Sequence, residues 1–285
     1  MRRLCATLAA LALGSPALAL DEAGPLAAVR AEEARLHARI GLAVIDKADG
    51  KVLRYRADER FPLNSTHKAF ACAALLARAD KGEASMQKRV VFVSTDLVPY
   101  SPVTENRIAP DAMSLNELCE AAVTRSDNTA ANLVLQALGG PAGVTAFFRA
   151  LGDATSRLDR EEPDLNEGLA DDPRDTTTPA AAAADLDRIV LGDALKPAAR
   201  ERLKQWMIGD RVAAALLRKA LPEDWRIADK TGAGGAGSRG IVATIWPPQR
   251  GPFVVALYMT QTSAPLAERD AAIARIGAAL VAAAR

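Results

Sequence analysis

Apolar positions along the chain keep two different periods. Residues 40–46 form an apolar run that predicts a strand, Asp49-Gly50 is a hairpin signal, and residues 51–56 return as a second strand. From about Asn64 to Met207 the spacing turns helical. Cys72, Leu75, Leu76 and Ala79 recur at i, i+3, i+4 and i+7, the mark of one buried helix face. Ser114-Leu115-Asn116-Glu117 reads as a capping box, and Leu115, Leu118, Cys119, Ala122 and Val123 form the stripe behind it. A helix beginning near Thr129 stops at Gly139-Gly140-Pro141, and Thr178-Pro179 supplies an N-cap and a first-turn proline for an Ala-rich helix. Strand-like runs return at 226–230, 241–246 and 253–260. Residues 264–284 close the chain as an Ala-rich helix with Ile273, Ile276 and Leu280 on one side.

Strands at both ends with helices between them predict one α/β domain built from residues 20–61 and 208–285. An all-helical domain, residues 62–207, is inserted in it. One stretch fits neither period. Residues 157–175 are highly charged, contain two prolines and show no repeat; taken alone they read as a solvated excursion, with Arg160 and Asp175 available to close the loop by an ion pair.

Charge and cysteine usage narrow the compartment and the partners. Lys plus Arg total 36 against 35 Asp plus Glu, so the basic excess that nucleic-acid binding needs is missing. Arg2 and Arg3, the apolar run 4–13 and Ala17-Leu18-Ala19 have the form of a cleavable export signal spanning residues 1–19, with a buried N-terminal helix as the alternative. The apolar run is too short to serve as a stable membrane anchor, and no later segment is apolar enough to span a bilayer. Export to the periplasm or medium would remove Cys5 and leave Cys72 and Cys119 where disulfides are permitted. His37 and His67 are too few and too scattered for a zinc site or a Ser-His-Asp triad. No metal or cofactor is expected.

Three short motifs carry candidate chemistry. Ser65-Thr66-His67-Lys68 opens the first internal helix; Lys68, one turn on, can face the Ser65 hydroxyl, which needs a base to become a nucleophile. Ser126-Asp127-Asn128 lies between two helices, and Lys230-Thr231-Gly232 ends a strand-like run before Ala233-Gly234-Gly235. Singly, these read as a surface helix start, an N-cap cluster and a turn. In this order, S-x-x-K, S-D-N and K-T-G resemble the signature of class A β-lactamases and penicillin-binding proteins. The chain is similar to the class A serine β-lactamases over essentially its whole mature length. D-L-V-P-Y-S-P at 96–102 looks like that family's substrate-edge loop, R-L-D-R-E-E-P-D-L-N-E at 157–167 like its omega loop, and Ser238-Arg239-Gly240 like the segment carrying a carboxylate-binding arginine.

The resemblance implies an α/β plus all-α fold: a five-stranded antiparallel sheet flanked by helices, an inserted all-helical domain, and an active site between them. It implies hydrolysis of penicillins and early cephalosporins through an acyl-enzyme. Ser65 would attack the lactam carbonyl, and backbone N–H groups of Ser65 and Ala233 would hold the oxyanion. Lys68 would help take the serine proton, Ser126 would relay a proton to the lactam nitrogen, and Glu162 would activate the deacylating water with Asn166. Tyr100, Asn128, Lys230, Thr231, Gly232 and Arg239 would bind substrate. His67 reads as packing, and Glu161 as solvated beside Glu162. The Glu162–Pro163 bond is expected to be cis, turning the carboxylate inward. Some family members pair cysteines at the positions of Cys72 and Cys119, so a disulfide is expected there, two buried thiols being the alternative. The protein is expected to act as a monomer on small β-lactams. Two other functions share the nucleophile. A D-alanyl-D-alanine peptidase would lack the Glu162–Asn166 loop, and a non-catalytic β-lactam sensor would need a membrane-spanning partner segment.

Overall fold

A computed structural model describes residues 22–284; the expected export signal and Cys5 lie outside the described residues. Five strands form one antiparallel sheet: β1 (Arg39–Asp46), β2 (Val52–Tyr55), β3 (Arg226–Ala233), β4 (Arg239–Trp246) and β5 (Phe253–Thr260), in the order β2-β1-β5-β4-β3. The last strand in sequence is central. It is buried at every position, which is why it reads as a continuous apolar run rather than an alternating one. Its side chains still divide by the period of two. Val254, Ala256 and Tyr258 join one core, and Phe253, Val255, Leu257 and Met259 join the other.

The helices explain the two cores. The helix α1 (Ala23–Leu36) packs beside the C-terminal helix on one face of the sheet, where Val29, Ile273, Ile276 and Leu280 meet Leu42, Val44 and Ile241. The remaining helices follow β2: α2 (His67–Asp80), α3 (Leu115–Thr124), α4 (Asn128–Ala137), α5 (Pro141–Ala150), α6 (Pro179–Val190), α7 (Pro197–Ile208) and the single turn α8 (Leu217–Ala220), before α9 (Leu266–Ala283) closes the chain. Within this helical body α2 is the axial element, with residues 67–77 all buried. A side chain there has no solvated face, so every polar group along it needs a partner.

Local chemistry sets the ends as the sequence suggests. Ser114 and Glu117 form the reciprocal cap of α3, with bonds of 3.2 and 2.7 Å, a motif that stabilises by about 1 kcal/mol. Thr178 Oγ1 accepts from Ala181 N at 3.2 Å to cap α6. Gly139 and Gly140 take positive φ between α4 and α5. A disulfide joins Cys72 on α2 to Cys119 on α3, with Cα atoms 5.6 Å apart. One boundary differs from expectation: β3 does not end at Lys230 but runs through Lys230-Thr231-Gly232 to Ala233. Its partner β4 begins early, at Arg239, and pairs Ala233↔Arg239, so the turn is confined to 234–238.

Candidate active site

Four pieces of chain meet where the helical body faces β3. Ser65 lies in a 3-10 turn, Asn64–Thr66, that runs directly into α2. Lys68 sits one turn on; Ser126 and Asn128 come from the α3–α4 junction, and Glu162 from the loop 157–175. Three residues at these junctions, Asn64, Tyr100 and Ser126, hold positive φ of 43°, 66° and 58°. Side chains other than glycine adopt this region at a cost, and such outliers gather where geometry is functional.

Lys68 is the hub. Its Nζ donates to Ser65 Oγ at 2.9 Å, to Asn128 Oδ1 at 2.5 Å and to Ser126 O at 2.8 Å, and reaches Ser126 Oγ at 3.5 Å. It pairs with Glu162 Oε1 at 3.0 Å, both side chains fully buried. Ser65 Oγ itself lies 3.3 Å from Glu162 Oε1. Ser126 Oγ also accepts from Lys230 Nζ at 3.1 Å, so one hydroxyl stands between two ammonium groups.

Burial pulls both lysines below the usual ammonium range. For Lys68 the Glu162 charge opposes the effect. Lys230 falls to about 8, with Asp210 opposing. Burial pushes Glu162 upward, but the charge of Lys68 and hydrogen bonds from Lys68 and Asn166 outweigh it and hold the carboxyl below its usual range. His67 is fully buried and drawn down by that burial to about 4, so it is a neutral packing group; its Nδ1 bonds Asn64 O at 2.8 Å.

A cleft of about 390 Å³ is lined by Ser65, Tyr100, Ser126, Asn128, Asn166, Thr231, Gly232, Ala233 and Arg239, among others. β3 passes so close to Ser65 that a Cβ on Gly232 would lie 2.9 Å from Ser65 N; only glycine lets the strand edge and that amide share one space. Arg239 is buried and pairs with Asp270 at 2.6 Å, its Nη1 donating to Gly232 O at 3.1 Å. Tyr100 is largely exposed and lines the cleft.

The loop is anchored at both ends. Arg160 Nε meets Asp175 Oδ2 at 2.6 Å, and Asp175 also accepts from the backbone N–H of Asp159 and Arg160 at 2.7 and 2.9 Å. Glu162–Pro163 is cis, and Glu162 is buried while Glu161 is half-buried. Asn166 Nδ2 donates to Glu162 Oε2, and Asn166 O accepts from Gly235 N at 2.7 Å, which fixes the loop to the β3–β4 hairpin.

Several contributors are not legible in the motifs. Asn132, one turn after Asn128, holds the Glu162 backbone with both ends of its amide: Nδ2 to Glu162 O at 2.8 Å, and Oδ1 from Glu162 N at 2.9 Å. Its signal was a polar residue in the apolar stripe of α4. Asp127 caps α4 through Ala130 N at 2.8 Å and holds Val103 N and Thr104 N at 2.9 Å each, tying the rim loop to the S-D-N turn. Asp210 and Asp229 lie buried near Lys230; Asp229 directly precedes it in the chain, but no sequence pattern joins Asp210 to it.

A family model described as the beta-lactamase enzyme family matches residues 26–284. A curated relative, Beta-lactamase AER-1 of Aeromonas hydrophila, is 53% identical over 266 residues, covering 93% of this chain and 88% of that protein. Among solved structures, an ancestral class A β-lactamase of Gram-negative bacteria (GNCA) superposes with a TM-score of 0.89 at 50% identity, covering 92% of this chain and 100% of that one. The chromosome-encoded β-lactamase of Vibrio parahaemolyticus gives 0.85 at 42% identity, covering 88% and 95%.

Proposed function

The chain belongs to the beta-lactamase enzyme family, as a class A serine enzyme that hydrolyses β-lactams, and on that premise we propose that hydrolysis runs through an acyl-enzyme on Ser65. The observation that carries this reading is Lys68 Nζ within 3.0 Å of both Ser65 Oγ and Glu162 Oε1. A buried amine with a lowered proton affinity, beside an ionised carboxylate, can take the serine proton and pass it on. Ser65 Oγ then bonds the lactam carbonyl carbon, with the Ser65 and Ala233 N–H groups receiving the oxyanion. The C–N bond breaks as Ser126 gives its proton to the lactam nitrogen, and Lys68 resupplies Ser126.

Deacylation needs a second base. Glu162, braced by Asn166 and Asn132, takes a proton from water as the water attacks the ester, and the Ser65–acyl bond breaks as that proton returns from Glu162 to Ser65 Oγ by way of Lys68. Lys230, Thr231 and Arg239 bind the substrate carboxylate, Gly232 keeps the strand edge clear, Asn128 meets the substrate amide, and Tyr100 walls the rim. The Glu162–Asn166 loop favours a hydrolase over a peptidase or a sensor, because those would stall as acyl-enzymes.

The spectrum we assign is penicillins and early cephalosporins, with poor turnover of oxyimino-cephalosporins and carbapenems. Positions 64 and 234 are Asn and Gly rather than a cysteine staple, and the Arg160–Asp175 pair keeps the loop closed over the side-chain pocket. We place the protein as a monomer without a membrane anchor, in the periplasm or medium. That placement is supported by the form of residues 1–19. Sustained turnover of a chromogenic cephalosporin tests the function, and a single stoichiometric burst would overturn it. Comparing kcat/KM for benzylpenicillin, cephalothin, cefotaxime and imipenem tests the spectrum; cefotaxime or imipenem equal to benzylpenicillin would contradict it.

A further inference from the structure

Asn64 has no part in the chemistry above, yet it is 1% exposed, buried against Gly232 and Gly234. Its Nδ2 donates to Ser238 Oγ at 2.9 Å, and its Oδ1 is buried with no hydrogen-bond partner among the described residues. An unpaired buried acceptor is destabilising. Its backbone is left-handed, with φ of 43°, and its carbonyl is pinned by His67 Nδ1 at 2.8 Å. Across the gap, Ser238 closes the β3–β4 hairpin: its carbonyl accepts from Gly234 N at 3.2 Å and from Arg269 Nη1 at 3.1 Å. The Asn64 side chain fills the space beneath this hairpin. A Cβ on Gly232 would meet Asn64 Cβ at 2.9 Å, and one on Gly234 would meet Asn64 Oδ1 at 2.4 Å. The residue between those glycines is Ala233.

We propose that Asn64 is a positioning residue for acyl transfer: its amide, anchored on Ser238, holds the β3–β4 hairpin at a fixed spacing from the nucleophile's turn and so sets the width of the oxyanion hole between Ser65 and Ala233. This rests on the reading of Ser65 and Ala233 given above. Oxyanion donors act over a narrow distance range, and a displacement of about 1 Å can cost on the order of 10²-fold in rate. The strut couples the two halves of the site, because one end belongs to the helical body and the other to the sheet.

The test combines infrared difference spectroscopy of the benzylpenicillin acyl-enzyme, trapped in a Glu162→Ala background, with kcat in the otherwise intact protein. Asn64→Leu keeps the volume and removes the amide; Ser238→Ala removes the anchor. Each should lower kcat by about 10-fold, a fraction of what losing an oxyanion donor costs, and should move the ester carbonyl band to higher wavenumber as its hydrogen bonds weaken. The double variant should lose no more than either single one. An unshifted band, or losses that multiply to about 100-fold as for independent sites, overturns the proposal. Ser238→Ala carries the same readout should Asn64→Leu fail to fold. A Ser65→Ala protein that still forms the ester removes the underlying reading, and the proposal with it.

Discussion

Lys230 shows how burial and charge set one residue's work. Burial draws its ammonium down to about 8, so the folded chain gives up above that pH a proton the unfolded chain keeps to about 10.4. The cost of burying the charge is therefore fully present below pH 8 and is relieved as pH rises. Affinity moves the opposite way, because the substrate carboxylate needs the charge. KM for benzylpenicillin should rise as pH passes about 8, and Lys230→Arg, which stays protonated, should flatten that limb. A KM in the parent protein that is constant to pH 10 would remove Lys230 from carboxylate binding. The lysine itself was legible in the K-T-G triplet. Its control was not, because Asp210, the largest opposing charge, approaches it only through the fold.

The loop 157–175 is the element whose sequence says least and whose placement matters most. It has no apolar period, since its order comes from Leu158 and Leu165 buried as single anchors and from Asp175, not from a repeating face. Strands, caps and helix faces were legible because each is a local period or a local hydrogen bond. The end of β3 was not, because strand length is fixed by where β4 begins to pair. Asp175 is 1% exposed and accepts from Arg160 and two backbone amides. Asp175→Asn should then cost about 3 kcal/mol, the scale for breaking a buried pair, and should let acyl-enzyme accumulate as Glu162 loses its seat. Thermal unfolding and quenched mass spectrometry read the two effects; unchanged stability with unchanged deacylation would contradict this role.

The whole molecule places its chemistry where the helical body packs against the edge strand β3 of the sheet. Ser65, Lys68 and Glu162 come from the helical body, while Lys230, Thr231, Ala233 and Arg239 come from the sheet, so the cluster exists only when both are formed and docked. The Cys72–Cys119 bond lies wholly within the helical body. Cys72→Ser with Cys119→Ser should cost about 2–4 kcal/mol of stability while leaving kcat at 25 °C within about twofold, since neither sulfur lines the cleft; a large loss of kcat at full folding would contradict that separation. The central claim is that Ser65 carries the acyl group and Glu162 removes it. Intact-protein mass spectrometry over time after mixing Glu162→Ala with benzylpenicillin tests it most directly. A single penicilloyl adduct on Ser65 should form and persist; an adduct that clears at the parent rate, or one that still forms after Ser65→Ala, would contradict these roles.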